Sequence, residues 1–174
     1  MPFQRDFLFV TLSCLFTMAG RAQAPSWKTL QLGVLSLKYP PTWVMAKRHG
    51  KVETYVVLTP DSMRNLPIKV FQIIELPVIG DHTYARFKKD FATVLTSNPD
   101  WPTKILKSKE ISFKGHKTMY AEIIRSSLPG KVYGINAGGV IYAILLLQSR
   151  HVGVPDPKME KDGAAILNSI TIDQ

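Results

Sequence analysis

Apolar and polar residues alternate along most of this chain, and the alternation predicts strands. Val34 to Tyr39 reads as a strand running into a Pro40-Pro41-Thr42-Trp43 corner, because two prolines cannot continue a hydrogen-bonded ladder. Trp43 to Met45 is a short extended piece, and Lys47-Arg48-His49-Gly50-Lys51 reads as a polar turn. Val52 to Leu58 alternates and predicts a strand closed by Thr59-Pro60-Asp61. Ile68 to Leu76 is apolar at both parities, which predicts burial on both faces. The period then changes. Tyr84, Phe87, Phe91 and Val94 or Leu95 recur at helical spacing, with Asp81 as the expected N-cap and Ser97-Asn98-Pro99 as the stop.

The period returns to two over Ile105–Phe113, Thr118–Ser126, Val132–Asn136 and Val140–Gln148, a predicted β-meander. Its expected turns are Lys114-Gly115-His116, Leu128-Pro129-Gly130 and Gly138-Gly139; Gly134 is also read as a hairpin glycine. Ile141 to Leu147 is almost wholly apolar and predicts a central strand covered on both sides. Asp156-Pro157 signals a last helix, with Met159, Gly163, Ile166, Leu167 and Ile170 on its buried side. Strands in runs, with one helix among them and one at the end, predict an antiparallel α+β domain rather than βαβ units.

The start of the chain departs from these patterns. Phe7 to Gly20 is an apolar block of 14 residues, followed by small residues. It fits the core of a secretory signal and falls short of the roughly 20 residues a spanning helix needs. Cleavage is expected between Ala22 and Gln23, giving a signal peptide over 1–22 and one domain over 23–174. Cutting after Ala24 instead would leave Pro25 as the first residue. Lipid anchoring at Cys14 is not expected, because the residues around it do not form a lipobox. The chain would then be periplasmic or secreted.

That cut also removes the single cysteine among the 174 residues, and with it any disulfide, thiolate nucleophile or Cys-ligated metal. It would leave 20 basic and 12 acidic residues, a net +8. Such a charge suits anionic lipid, acidic polysaccharide or an acidic protein surface, and also simple solubility. Phosphate-binding and hydrolase motifs are absent from the sequence: no G-x-x-x-x-G-K-S/T, no G-x-G-x-x-G, no H-E-x-x-H and no G-x-S-x-G. His49, His82, His116 and His151 are too far apart in sequence for a local metal pair. Glu53, Glu75, Glu110 and Glu122 lie in or beside strands, where pairing with lysine is their ordinary role. No catalytic, cofactor or metal residue is expected, and an enzyme is not.

Two basic groups stand out: Lys47, Arg48 and Lys51 around a turn, and Lys104, Lys107, Lys109 and Lys114 along a strand and its turn. The strand lysines either protect an edge from aggregation or form an anion-binding face. Trp101, between Pro99 and Pro102, is a candidate exposed contact, and Trp43 a core anchor beside the proline corner. Nucleic acid is not an expected ligand, since no alternation of exposed aromatic and basic residues forms a stacking platform.

The order of these features resembles the PsbP-like family, including bacterial envelope proteins of the DcrB type. The carrying residues are the Tyr39-Pro40-Pro41-Thr42-Trp43 corner, the helix after Asp81 and the Lys114-Gly115-His116 reversal. The Gly138-Gly139-Val140-Ile141-Tyr142 start of the most apolar strand and the closing Ile166-Leu167-Asn168-Ser169-Ile170 complete the set. The resemblance implies an antiparallel sheet flanked by helices on both faces, an α/β/α sandwich. It also implies an exported, non-enzymatic accessory role. Known members serve photosystem II, Ran binding and the bacterial envelope, so the fold alone selects no function. The expected function is a binding module that docks onto an envelope protein or complex. A carrier of a small ligand or an anionic lipid is the alternative, and an enzyme with a dispersed active site the less favoured one.

Overall fold

A computed structural model describes residues 26–50, 54–61, 71–77, 83–96, 102–147, 150–151, 154–155 and 157–173. The expected signal segment with Cys14, Ala22 and Gln23 lies outside these residues. So do Lys51, Asp81, His82, Trp101 and Asp156.

In chain order the elements are β1 (Lys28–Leu32), β2 (Leu35–Tyr39), β3 (Trp43–His49), β4 (Thr54–Pro60) and β5 (Phe71–Pro77). Then come α1 (Tyr84–Thr96), β6 (Thr103–Phe113), β7 (His116–Arg125), β8 (Leu128–Ala137) and β9 (Val140–Leu147). The chain closes with β10 (Arg150–His151), β11 (Val154–Pro155), α2 (Pro157–Asn168) and β12 (Thr171–Ile172). Seven strands form one antiparallel sheet in the order β3-β4-β5-β9-β8-β7-β6. A second, smaller sheet has the order β1-β2-β12, and β10 pairs with β11.

The central strand explains this arrangement. Seven of the eight β9 residues are buried, so both of its faces must be covered. On one face Ile141, Ala143, Leu145 and Leu147 pack with Met119, Ala121, Ile123 and Val132 beneath Phe87, Phe91 and Leu95 of α1. On the other, Tyr142, Ile144 and Leu146 join Val56, Leu58, Phe71 and Ile73 under the small sheet and α2. Leu30, Leu32, Leu35 and Leu37 of the β1–β2 hairpin supply the cover, with Ile166, Leu167 and Ile170 beside them. Trp43 is 1% exposed and belongs to this second core, the anchor expected beside the proline corner.

The expectation of helices on both faces of one sheet is therefore corrected. The described residues are mostly antiparallel β with two helices, and much of the cover opposite α1 is a second sheet. The physical reason lies in Val34 to Tyr39. That strand does not join the main sheet; it pairs with β1 across Gly33 and Val34 and with β12 at the chain end. The β1 strand itself was not anticipated. Its Leu30 and Leu32 are buried between exposed Thr29 and Gln31. Polar contacts hold this layer in register: Ser36 Oγ meets Thr171 Oγ1 at 2.6 Å, and Ser169 Oγ donates to the Lys38 carbonyl at 3.0 Å. The Tyr142 hydroxyl, from the central strand, donates to the Leu32 carbonyl at 3.1 Å.

Several local expectations also change. The turn between β7 and β8 falls at Ser126-Ser127, two residues earlier than Leu128-Pro129-Gly130, which lie in β8. Both serines hold positive φ, 47° and 69°. Asn-Gly adopts that geometry with little strain, and serine does not. Gly138 and Gly139 form a hairpin turn as expected, but Gly134 does not. It sits mid-strand, where an added Cβ would lie 2.6 Å from Phe87 Cζ and 2.7 Å from Phe91 Cε2. Its missing side chain lets α1 seat its two phenylalanines on the sheet. The α1 start is capped by Thr83, whose Oγ1 accepts from the Arg86 amide at 3.4 Å. Lys47, Arg48 and His49 extend β3 rather than forming a turn, because each pairs with a residue of β4.

Two substitutions test this packing by urea denaturation. Gly134→Ala is expected to destabilise the fold by about 1–3 kcal/mol, since the added methyl would press on two buried rings. Ser127→Gly is expected to stabilise it by up to about 1 kcal/mol, by relieving the left-handed strain.

Candidate functional site

The two basic groups do not converge. Lys47 and Arg48 lie on β3, one edge of the main sheet, and Lys104, Lys107 and Lys109 lie on β6, the other edge. Six inter-strand spacings of about 4.8 Å put roughly 29 Å of sheet between them. Within the first group the side chains also divide, since Lys47 opposes Val56 while Arg48 opposes Tyr55. A single anion-binding face built from both groups is therefore not formed.

The second group is brought together by a feature that strand periodicity conceals. Lys104 and Lys107 are three residues apart, so a regular strand would turn them to opposite faces. A β-bulge interrupts the β6–β7 ladder between Ile105 and Lys107. Lys104 opposes Ile124, Lys107 opposes Glu122 and Lys109 opposes Tyr120, three successive same-face positions of β7. The extra residue is Leu106, which is 55% exposed. It allows Ile105 to pack on the α1 core while all three lysines stand on the opposite face.

That face continues onto β8. Lys131 opposes Glu122, and Tyr133 opposes Tyr120. Tyr120 and Tyr133 meet edge to face at 5.3 Å between ring centres, and Phe113 meets Tyr133 at 5.2 Å. The Lys109 ammonium lies 5.8 Å from the centre of the Tyr120 ring. The Tyr120 hydroxyl donates to Glu122 Oε1 at 3.3 Å. All four lysines are exposed, and the two tyrosines and Glu122 are half-buried. The hairpin and α2 cover β9 and its neighbours but leave this outer wing open. Lys104, Lys107, Lys109 and Lys131 against Glu122 give the wing a net charge of +3.

Lys114, read with the strand lysines, does a separate structural job. It occupies a left-handed turn with φ 53°, and its ammonium donates to the Asn168 carbonyl at 2.6 Å. It thus caps the C-terminus of α2, where a cation is favoured. Glu110 points to the α1 face, where Lys88 of the helix pairs with it at 3.0 Å. Hydrogen bonding to Lys88 holds its carboxyl below the usual range. His49 shares a 3.2 Å contact between its Nδ1 and Thr54 Oγ1, and His116 begins β7. Among the described residues no group of three His, Cys, Asp or Glu side chains is placed to hold a metal. Nor, among them, is any helix long and apolar enough to cross a membrane.

Sequence reasoning found the β6 lysines but missed Lys131, Tyr120, Tyr133 and Glu122 as their companions. Those residues are separated along the chain and meet only through the β6-β7-β8 register. An unusual surplus of Lys on a strand of mixed parity was the available signal.

No protein-family model matches the sequence. No curated protein matches it either. The fold is similar to the solution structure of cyanobacterial PsbP (CyanoP) from Synechocystis sp. PCC 6803, with a TM-score of 0.60 and 11% sequence identity. The likeness covers 91% of this chain and 98% of that one. It supports a PsbP-like fold.

The tyrosines make the wing sensitive to alkaline pH. Burial, then the Glu122 charge, pushes Tyr120 up to about 12, and burial also raises Tyr133. Both bind their protons more tightly folded than unfolded. Their contribution to stability is therefore complete below the ordinary tyrosine value of about 10 and is lost as pH climbs toward 12. Urea midpoints are expected to fall over that window, with a shallower fall in Tyr120→Phe. A midpoint that stays flat from pH 10 to 12 would contradict the burial of these hydroxyls.

Proposed function

We propose that this chain is an exported, non-enzymatic binding module that docks onto an envelope protein through the β6–β8 wing. Its role would be closest to the DcrB-type envelope proteins that the sequence resembles. The observation that carries this reading is the bulge at Leu106. It collects three lysines on one open face beside Lys131 and a tyrosine pair, where a regular strand would scatter them. Lysines placed only to keep an edge from aggregating need no common face, since a charge on either side suffices. A basic face around half-buried aromatic rings suits an acidic partner surface, giving charge steering with a fixed register. The apolar segment at Phe7 to Gly20 supports export.

The test is cross-linking capture from envelope extract with the purified protein and with Lys104→Glu/Lys107→Glu/Lys109→Glu. A stoichiometric partner is expected with the native chain at low salt, weakened as salt screens the wing and absent with the triple variant. Capture that is indifferent to the triple variant would move docking to another surface. Failure to capture any partner would remove the docking role.

A further inference from the structure

We infer that the wing takes an extended acidic segment of its partner as an added antiparallel strand along β6. This inference rests on the docking role above and names the chemistry of the partner. The β6 strand is an outer strand of the main sheet among the described residues, so one row of its backbone amides and carbonyls has no neighbouring strand. The turn that joins it to β7 fixes which row. Lys114 and Gly115 both hold positive φ, 53° and 81°, the geometry of a two-residue hairpin closing on the Phe113–His116 pair. Hydrogen-bonded and open pairs alternate from there. The amides of Lys107, Lys109 and Ile111 therefore point to β7, and those of Ser108, Glu110 and Ser112 point outward.

An incoming antiparallel strand would exchange hydrogen bonds with Ser108, Glu110 and Ser112. Its residues opposite Lys107 and Lys109 would then fall in the open pairs, where the two backbones approach most closely, about 4.5 Å between Cα atoms. Same-face positions on a strand recur about every 6.8 Å, which is the repeat of Lys109, Lys107 and, across the bulge, Lys104. Carboxylates at every second residue of the incoming strand match that repeat. On its other face the partner meets Ser108, Glu110 and Ser112, and Glu110 is already paired with Lys88, so neutral residues suit those positions. The predicted motif is Glu or Asp alternating with Thr or Val.

The same lysines reject the commonest wrong partner. The opposite edge, β3, carries Lys47 on the same face of the sheet as the β6 lysines. Pairing of two copies of this chain through β6–β6 or β6–β3 edges would bring basic side chains together. Edge protection and partner choice are then one device, repelling a basic strand and admitting an acidic one. An acidic glycan is the weaker fit, because Lys109 stands over the Tyr120 ring and Tyr133 packs against it.

Two synthetic peptides of one composition test this: Thr-Glu-Val-Glu-Thr-Glu-Val-Glu-Thr, and a block form, Thr-Val-Thr-Val-Thr-Glu-Glu-Glu-Glu. Anionic phosphatidylglycerol vesicles serve as the lipid arm. Binding to the purified protein is read by amide chemical shifts and hydrogen exchange. The alternating peptide is expected to slow exchange at Ser108, Glu110 and Ser112 and to bind more tightly than the block form. Lys107→Glu/Lys109→Glu should weaken it by about tenfold or more, while Lys47→Glu leaves it unchanged. Lys107→Gln/Lys109→Gln should weaken it less and keep a near-native urea midpoint, since these side chains are exposed. The Glu pair should lower the midpoint only slightly, because it sets a carboxylate opposite Glu122. Equal binding by the block peptide, or vesicle binding with the same amides still exchanging freely, would overturn strand addition. So would no binding by the alternating peptide. If wing-dependent capture from envelope extract persists in that case, the docking role stands and only this inference falls; if both fail, both fall.

Discussion

A strand buried on both faces cannot lie at the surface of a domain, and β9 is such a strand. Each buried large apolar side chain contributes about 1.5–3 kcal/mol relative to exposure, so covering only one face of β9 would forfeit much of its stabilisation. Two layers follow from that constraint. The α1 helix closes one side through Phe87, Phe91 and Leu95, seated over Gly134. The β1–β2 hairpin, β12 and α2 close the other. The two covers differ in kind because the segments differ: one carries a helical stripe, while the residues around Gly33 carry two short alternating runs. Tyr142 joins the central strand to the hairpin by a buried hydrogen bond, so the smaller sheet is held by more than apolar contact.

The covers are narrower than the sheet they protect. Burial on the hairpin side is complete at Tyr142 and Ile144, partial at Tyr133 and Tyr120, and gone at Lys109 and Lys107. The sheet thus ends in a wing whose α1 face is buried and whose other face is open. On that wing the bulge at Leu106 reconciles two demands that a regular strand cannot meet together. Ile105 must reach the α1 core, and Lys107 must stand beside Lys109 on the far side. The core fixes one half of the strand, and the open face fixes the other.

Much of this was legible in the sequence, and the limits of that reading are physical. The meander strands, the α1 stripe, the Gly138-Gly139 turn and the two-faced burial of β9 followed from period and turn chemistry. Trp43 was read correctly as a core residue. The second sheet was not legible as such, because alternation predicts a strand without naming its neighbours. Leu35 and Leu37 are equally consistent with the main sheet and with a separate hairpin. Gly134 looks like a turn glycine until α1 is placed over it, and Ser126-Ser127 carries no ordinary signal for positive φ. The β6 lysines were visible as a cluster, but their common face depends on one extra residue that period counting cannot detect. Lys47 and Arg48 were visible as a second basic group, and the strand order places them at the far edge.

The account therefore turns on the register of β6 against β7, which nuclear Overhauser contacts between α-protons measure directly in the purified protein. Open pairs of an antiparallel ladder bring α-protons together, so the bulge predicts contacts at Ile105–Ile123 and Ser108–Ala121. A contact at Lys107–Ala121 in their place would mean a regular strand. The lysines would then divide between the two faces, and the shared basic face would not exist.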